Sequence, residues 1–407
     1  MSPRHALPAA ALLAAGLLAA APPARAGRPT ETLPAETFLV DVAYLHSWLT
    51  NAYDDEGGRT QLLDKLYRYE PGGGLQGIII PDASVTYQVL IAKLQYGILD
   101  NLTLGLGVPV VLRTTVEPRL SWVPGDYMWW LGRTYTEEDF WEWAQSMGQP
   151  RPGTWVGNRG VLADIILGLR YRLSDYLPAL TDQGVGLALT VQGALPTGRP
   201  KDPEEIVASG TTSWELHAQG ELGLHLALDY RPRELDERLT VGLDLFYEAL
   251  FEHTYDAPTG RKNPLILDLA PYTGERYSLD PGDFLGFQLV LDVVAWRGPV
   301  LETWLSGQVA DPDSLPPLVS LSVGYAFTWL FQSDWESESE LWDWTQEKLW
   351  RPGYKNRLTA ELVVSLLRVG APLQLSLTYS NLSWIPGRNS RATDSLSVGL
   401  RGPFKLF

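Results

Sequence analysis

Glu215, His217, Glu221, His225 and Asp229 stand at alternate positions of one stretch, so an extended chain places two imidazoles and three carboxylates on a single face. Such groups bind metals when they converge, and exchange protons when an imidazole meets a carboxyl group. The spacing argues against convergence, because eight residues of strand set His217 about 26 Å from His225 at roughly 3.3 Å per residue. Gln219 shares that face. Asp164, Arg170 and Arg172 in an earlier stretch, and Asp244 and Glu248 in a later one, repeat charges at alternate positions. The pattern predicts a hydrated lining in which the acids face Asp164, Arg170 and Arg172, with no metal site and no catalytic residue.

Two acidic, Trp-rich inserts could hold a ligand differently. One carries Trp129, Trp130, Glu137, Glu138, Asp139, Phe140, Trp141, Glu142 and Trp143; the other carries Trp335, Glu336, Glu338, Glu340, Trp342, Asp343, Trp344 and Trp350. Both read as short helices ended by Pro and Gly, at Pro150 to Gly153 and at Arg351 to Gly353. Indole faces stack on apolar molecules or sugars, which would make these segments a lid or a binding surface. Equally, the rings pack the loops together or sit at a membrane interface. Phe140, Trp141 and Trp143 cannot share one helical stripe, so at least one ring is left for another surface.

Other chemistries find little support. His46, His217, His225 and His253 have no neighbouring Ser and Asp pattern that marks a hydrolase, and Gly72-Gly73-Gly74 lacks the Lys of a phosphate loop. No cofactor is indicated. There is no Cys, which excludes lipid attachment through a thiol and disulfide bracing. The first 26 residues read as an export signal: Arg4, an Ala/Leu run from Ala6 to Ala21, then Ala24-Arg25-Ala26. Its removal leaves about 30 basic against 48 acidic residues, a net charge near −18, and no basic stripe for nucleic acid.

The elements that must position these groups are long alternating strands. Between Trp214 and Tyr230, Trp214, Leu216, Ala218, Leu222, Leu224, Leu226, Leu228 and Tyr230 hold one face against the charged set on the other. An apolar face bounded by aromatic rings matches the lipid band of a membrane barrel. The pattern recurs over 102–110, 161–173, 239–251 and 319–329, and more weakly over 38–46, 82–96, 185–195, 284–295, 300–309, 358–368, 373–384 and 393–402. Mean hydropathy is −0.08. A barrel hides its apolar residues in alternation, so no hydropathy peak is expected.

Residues 27–407 therefore read as one all-β, antiparallel, up-and-down transmembrane barrel, without an internal linker. Short turns at 97–101, 174–184, 231–238, 297–299 and 370–372 fit the periplasmic rim. Long connections near 47–80, 112–160, 196–213, 253–282 and 332–356 fit the outside. Thirteen segments cannot make an even barrel, and the conflict lies between about residues 253 and 331. Twelve strands is the expectation, with the first segment or 300–309 demoted, and fourteen the alternative. At the C-terminus, Pro403 interrupts the alternation, so the last paired strand is expected to stop near Gly402, followed by a tail ending in Phe407.

Three motifs carry a resemblance: Tyr96-Gly97-Ile98-Leu99-Asp100-Asn101-Leu102-Thr103-Leu104-Gly105; Ala163 to Leu173, with Asp164, Leu167-Gly168-Leu169-Arg170-Tyr171-Arg172-Leu173; and Ala194-Leu195-Pro196-Thr197-Gly198. In this order they resemble the outer-membrane barrels of the meta-pathway phenol-degradation family, a transporter-like group. The resemblance covers residues 82–200 well and the remainder by strand pattern. It implies a barrel passing small, often aromatic or apolar compounds, and brings no catalytic residue with it.

The resulting expectation is a porin-like outer-membrane channel of a Gram-negative-type cell, carrying small apolar or aromatic compounds by passive diffusion. Its partners would be outer-membrane lipid, the barrel-assembly machinery that recognises a terminal Phe, and a small apolar solute. The alternative is a non-conducting barrel that displays its Trp-rich acidic loops at the surface. An outer-membrane hydrolase is a third and weaker reading.

Overall fold

The computed structural model describes residues 29–62, 65–70, 72–146, 151, 153–157, 159–198, 220–235, 238–256, 276–299, 315–332, 334–337 and 352–405. Twelve antiparallel strands form a closed ring. They are β1 (Thr37–Tyr53), β2 (Leu75–Leu99), β3 (Leu102–Pro124), β4 (Ile165–Arg172), β5 (Val185–Leu195), β6 (Glu221–Tyr230), β7 (Leu239–Leu250), β8 (Phe284–Trp296), β9 (Val319–Leu330), β10 (Gly353–Ser365), β11 (Gln374–Asn381) and β12 (Ser390–Lys405). Each strand pairs with its sequence neighbours, and β1 closes the ring by pairing with both β2 and β12. Closure leaves no open sheet edge around the ring, the condition a β-structure must meet to cross lipid.

Alternation decides which side chains face lipid. On β6, Leu222, Leu224, Leu226 and Leu228 are 39–50% exposed, whereas Glu221 and Asp229 between them are 8% and 0% exposed. The same inversion, apolar outside and polar inside, holds on β8 and β9, where Leu289, Leu291, Leu321 and Val323 are exposed and Gln288, Asp292, Ser320 and Ser322 are buried. Water would not tolerate such a continuous apolar belt; a bilayer requires it. Aromatic rings edge the belt, with Phe38 stacked on Tyr96 at 4.5 Å near one rim and Trp48 on Tyr379 at 6.5 Å near the other.

The strand count of twelve agrees with the sequence expectation, and the first segment is a full strand. The 300–309 segment lies outside the described residues. The ring closes without it, because β8 pairs with β7 on one side and β9 on the other. The connection there runs from Arg297 to Leu318, not over the three-residue turn expected at 297–299.

Two expected loops prove to be strand in part. β1 and β2 extend into 47–80, and β3 continues through 112–124. Beyond Val110 the outward residues of β3 become polar, as at Arg113, Thr115 and Glu117, so an apolar-face criterion ends that strand too early, while β2, read over 82–96, begins at Leu75. This β2–β3 hairpin rises past the lipid band as a tower, flanked by the short strands Leu66–Tyr69 along β2 and Trp155–Gly157 along β3. β12 also continues past Pro403, with Phe404 paired to Phe38. β11 begins at Gln374, opposite Arg401, so the strand at Pro403 has a neighbour on one side and the missing N–H disrupts little.

A segment before β1 turns inward. Thr30 and Thr32 are 1% and 4% exposed. The Thr32 hydroxyl donates to the Asp100 carbonyl at 2.7 Å, Leu33 N–H to Thr103 Oγ1 at 2.8 Å, and the Thr30 hydroxyl to Asp229 Oδ2 at 2.5 Å. Pro29 to Ala35 thus crosses the periplasmic end of the lumen, from the β2–β3 turn to β6. Gly186 and Gly242 make room for it: a Cβ would come within 2.4 Å of Thr30 Oγ1 at the first and 2.7 Å of Pro29 Cγ at the second.

Candidate functional site: the lumen and its outer cover

Above this floor lies a cavity of about 180 Å³ in the middle of the lumen. Its apolar lining includes Ile91, Pro109, Ile166 and Phe246. Its charged lining comprises Glu221 and His225 from β6, Asp244 and Glu248 from β7, Lys355 and Arg357 from β10, Lys93 from β2, Arg170 from β4, and Glu31 from the inward-turned segment. Inward positions Gly105, Gly107 and Gly168 carry no side chain, which opens the space between Pro109, Ile166 and Arg170 on the same wall.

The residues marked by sequence separate into groups. Glu221, His225, Asp244, Glu248 and Arg170 meet in the cavity. His225 Nδ1 lies 3.1 Å from Asp244 Oδ2, and its Nε2 lies 3.8 Å from Glu248 Oε1. The imidazole stacks on Phe246, directly across the strand pair, at 5.7 Å. Arg170 Nε donates to Thr190 Oγ1 at 3.0 Å.

Asp229 belongs to the floor and not to the cavity. Asp164 is buried at the break between residue 162 and β4, where it accepts the Gly198 N–H at 2.7 Å. Arg172, expected to partner the lumenal acids, instead pairs with Asp175 of the adjoining turn at 2.7 Å and 2.9 Å. A turn carboxylate three residues away reaches it before any residue across the lumen can. Glu215, His217 and Gln219 lie outside the described residues. Among the described residues, no three His, Asp or Glu are placed to hold a metal ion.

Lys355, Arg357 and Glu31 were not anticipated. The Tyr354-Lys355-Asn356-Arg357 run is polar at every position but one and reads as loop. Its signal is positional: Lys355 and Arg357 are two and four residues after Gly353, in phase with Glu361 on the inward face of β10.

The outer cover is built on the tower. Helix α1 (Glu137–Ser146) packs Phe140, Trp141 and Ala144 against Ile79 and Trp122, which point inward from β2 and β3. It therefore sits on the lumen side of the tower. Phe140 stacks on Trp122 at 5.6 Å, and the Arg68 guanidinium lies 3.4 Å from the Trp143 ring centroid.

Thr136 caps the helix: its hydroxyl oxygen accepts the Asp139 N–H at 3.3 Å while the Asp139 carboxylate accepts both the Thr136 N–H and hydroxyl. The Arg133 guanidinium binds the same carboxylate and, with the Thr136 donors, holds it well below the ordinary carboxylate range. Phe140 and Trp141 are thus packing residues, whereas Trp129 is 83% and Trp130 50% exposed. In the second insert the chain at Trp335 is not helical. Asp334–Ser337 forms a strand paired with Arg276–Asp280, so an available strand partner overrides local helix preference. Trp342 and Trp344 lie outside the described residues.

A closed antiparallel ring with lipid-facing leucines and a charged interior defines an outer-membrane β-barrel of porin-like architecture. No protein-family model matches the chain, nor does any curated protein. Among solved structures, an outer-membrane channel from Pseudomonas putida F1 superposes with a TM-score of 0.52 at 15% identity, over 92% of this chain and 98% of that one. Weaker likenesses link it to CymD, a monoaromatic hydrocarbon channel (TM-score 0.34, 10% identity, 98% and 94% of the two chains), and to the Pseudomonas putida toluene transporter TodX (0.32, 9%, 92% and 90%). At these identities the likeness is one of fold, and the last two scores are too low to compare sites.

Proposed function

We propose that the protein is an outer-membrane channel through which small compounds with an apolar or aromatic body diffuse passively. The cavity between the outer cover and the inward-turned floor carries this reading, because a barrel used as a solid scaffold would have filled that space with side chains. Above the cavity, Leu49, Val85, Tyr87, Val89, Val111 and Val116 make one wall of the lumen apolar, an approach suited to solutes that shed water on entering. The resemblance of three motifs to the phenol-degradation family is in keeping with the same solute class. The C-terminal strand, with Leu396, Val398, Leu400 and Phe404 facing outward, suits handling by barrel-assembly machinery.

The deciding experiment is single-channel conductance in planar bilayers, for the intact protein and for a variant lacking residues 126–152. Current steps that enlarge on deletion support a pore covered by α1. Silence in both forms, with solutes such as toluene failing to enter vesicles that carry the protein, would remove the channel reading in favour of surface display. Tyr127 and Trp129, 66% and 83% exposed on the tower, favour that second reading.

A further inference from the structure

Across the cavity, charges of opposite sign face each other without direct contact. Glu221 and Glu248 are 8% and 2% exposed, yet among the described residues no ion pair joins either of them to Lys355 or Arg357, which line the same space. Glu248 Oε1 and Arg357 Nε are fully buried without a hydrogen-bond partner. His225 is shared between Asp244, at 3.1 Å, and Glu248, whose Oε1 is 3.8 Å away and beyond hydrogen-bond reach; Arg170 donates to Thr190, and Lys93 and Glu31 have interactions of their own. Two acids on β6 and β7 therefore face two bases on β10 within electrostatic reach but without direct contact, with β8 and β9 between the two sets. The Lys355 ammonium has a ring for company, 4.9 Å from the Phe284 centroid.

Buried charges of both signs held apart are costly unless something completes them. A lone cation would satisfy the acids and be repelled by the bases; a lone anion would meet the reverse. A solute with one charge of each sign completes both sets, and its apolar part lies against Ile91, Pro109, Ile166 and Phe246. The volume limits the apolar body to one ring, since a dry engineered cavity of about 150 Å³ holds benzene and this one measures about 180 Å³.

We propose that the mid-lumen cavity binds a small zwitterion with a one-ring apolar body, its ammonium on Glu221 and Glu248 and its carboxylate on Lys355 and Arg357. This rests on reading the lumen as a solute route, and narrows the solute to compounds carrying both charges.

The test is calorimetric titration of the full-length barrel in detergent micelles with L-phenylalanine, 3-phenylpropionate and phenethylamine, which share a ring and differ in charge. Phenylalanine is expected to bind at least about tenfold more tightly than either analogue, a difference of about 1.4 kcal/mol. In a Glu221→Gln, Glu248→Gln variant the advantage over 3-phenylpropionate should vanish; in a Lys355→Gln, Arg357→Gln variant the advantage over phenethylamine should vanish. Selective loss of one preference cannot come from misfolding, which removes both, and heat-modifiable gel mobility confirms the closed barrel in each variant. No binding of phenylalanine, equal binding of a singly charged analogue, or unchanged preferences in both variants would overturn the proposal. A barrel that conducts but ignores phenylalanine refutes this site and leaves the channel standing; one that binds phenylalanine yet passes neither ions nor solute keeps the site and refutes the channel.

Discussion

The Thr30 hydroxyl donates a 2.5 Å hydrogen bond to Asp229 Oδ2, joining the segment before the first strand to a lumenal carboxylate 199 residues away. Asp229 is 0% exposed, and its other oxygen lies 3.6 Å from Arg231 Nη2. A hydrogen bond to a charged group is worth roughly 1.5–3 kcal/mol net, enough to hold a short segment that has few other anchors on β5 to β7. Thr30→Val removes the donor with little change of shape. Unitary conductance should rise or flicker between two levels in that variant, and Asp229→Asn should act in the same direction. A conductance trace indistinguishable from the unaltered protein in both variants would show that this bond does not hold the floor closed.

The cover over the other mouth depends on Thr136 and Asp139. Loss of the helix cap in Thr136→Ala should destabilise α1 by about 1 kcal/mol. Near-ultraviolet circular dichroism would register this as loosening of the Trp122, Phe140, Trp141 and Trp143 cluster at lower temperature, while the barrel's own unfolding stays put.

The same cluster gives a pH dependence. The folded Asp139 carboxyl lies below its ordinary value of 3.8, so its stabilisation is fully present above that value and is lost as pH falls through the depressed folded value. The aromatic signal should therefore persist down to the ordinary carboxylate range and decay below it. In Asp139→Asn it should be weak at every pH, and persistence in that variant would mean that Arg133 and Thr136 position the helix without the carboxylate.

Alternation made the barrel legible because lipid selects on every second residue: the sequence alone assigns Leu222 to Tyr230 to the outside and Glu221 to Asp229 to the lumen. It failed where that selection stops. The tower at Thr115 and Glu117 is strand without an apolar outer face, and the turn acid Asp175 took Arg172 from the lumen. Glu31 and Thr30 precede the first strand, where no periodicity exists to read. The basic half of the cavity was invisible because Lys355 and Arg357 follow a loop-like run. Their facing of Glu248 depends on ring order, a tertiary relation that spacing along one strand does not contain.

Where the lipid band ends can be measured with arginine. Leu226 is 41% exposed at the middle of β6, whereas Ser84 points outward from the tower beside Glu117, whose Oε2 accepts its hydroxyl at 3.3 Å. Leu226→Arg should cost roughly 2–4 kcal/mol and Ser84→Arg roughly 0–1 kcal/mol, the values for the midplane and the interface. Denaturant unfolding from lipid vesicles would resolve the two. Equal penalties would place the tower within the bilayer and require the belt to be redrawn.

The seam that closes the ring offers a test of closure itself. Asp41 on β1 stands directly opposite Arg401 on β12, and Arg401 Nη2 lies 3.1 Å from Asp41 Oδ2 with both side chains 12–14% exposed. Removing Asp41 takes from Arg401 its partner across the seam and leaves Glu361 to compensate a buried charge, so the penalty exceeds the worth of the pair and approaches about 3–5 kcal/mol when the survivor stays dry. Asp41→Ala should thus unfold at markedly lower denaturant, whereas Asp41→Ala combined with Arg401→Leu should recover much of the loss. The recovery is the informative result, since it separates an under-compensated charge from a packing defect at the seam. If the double variant is as unstable as the sum of the two single ones, the two residues act independently and closure rests on the backbone ladder between Thr37 and Lys405 alone.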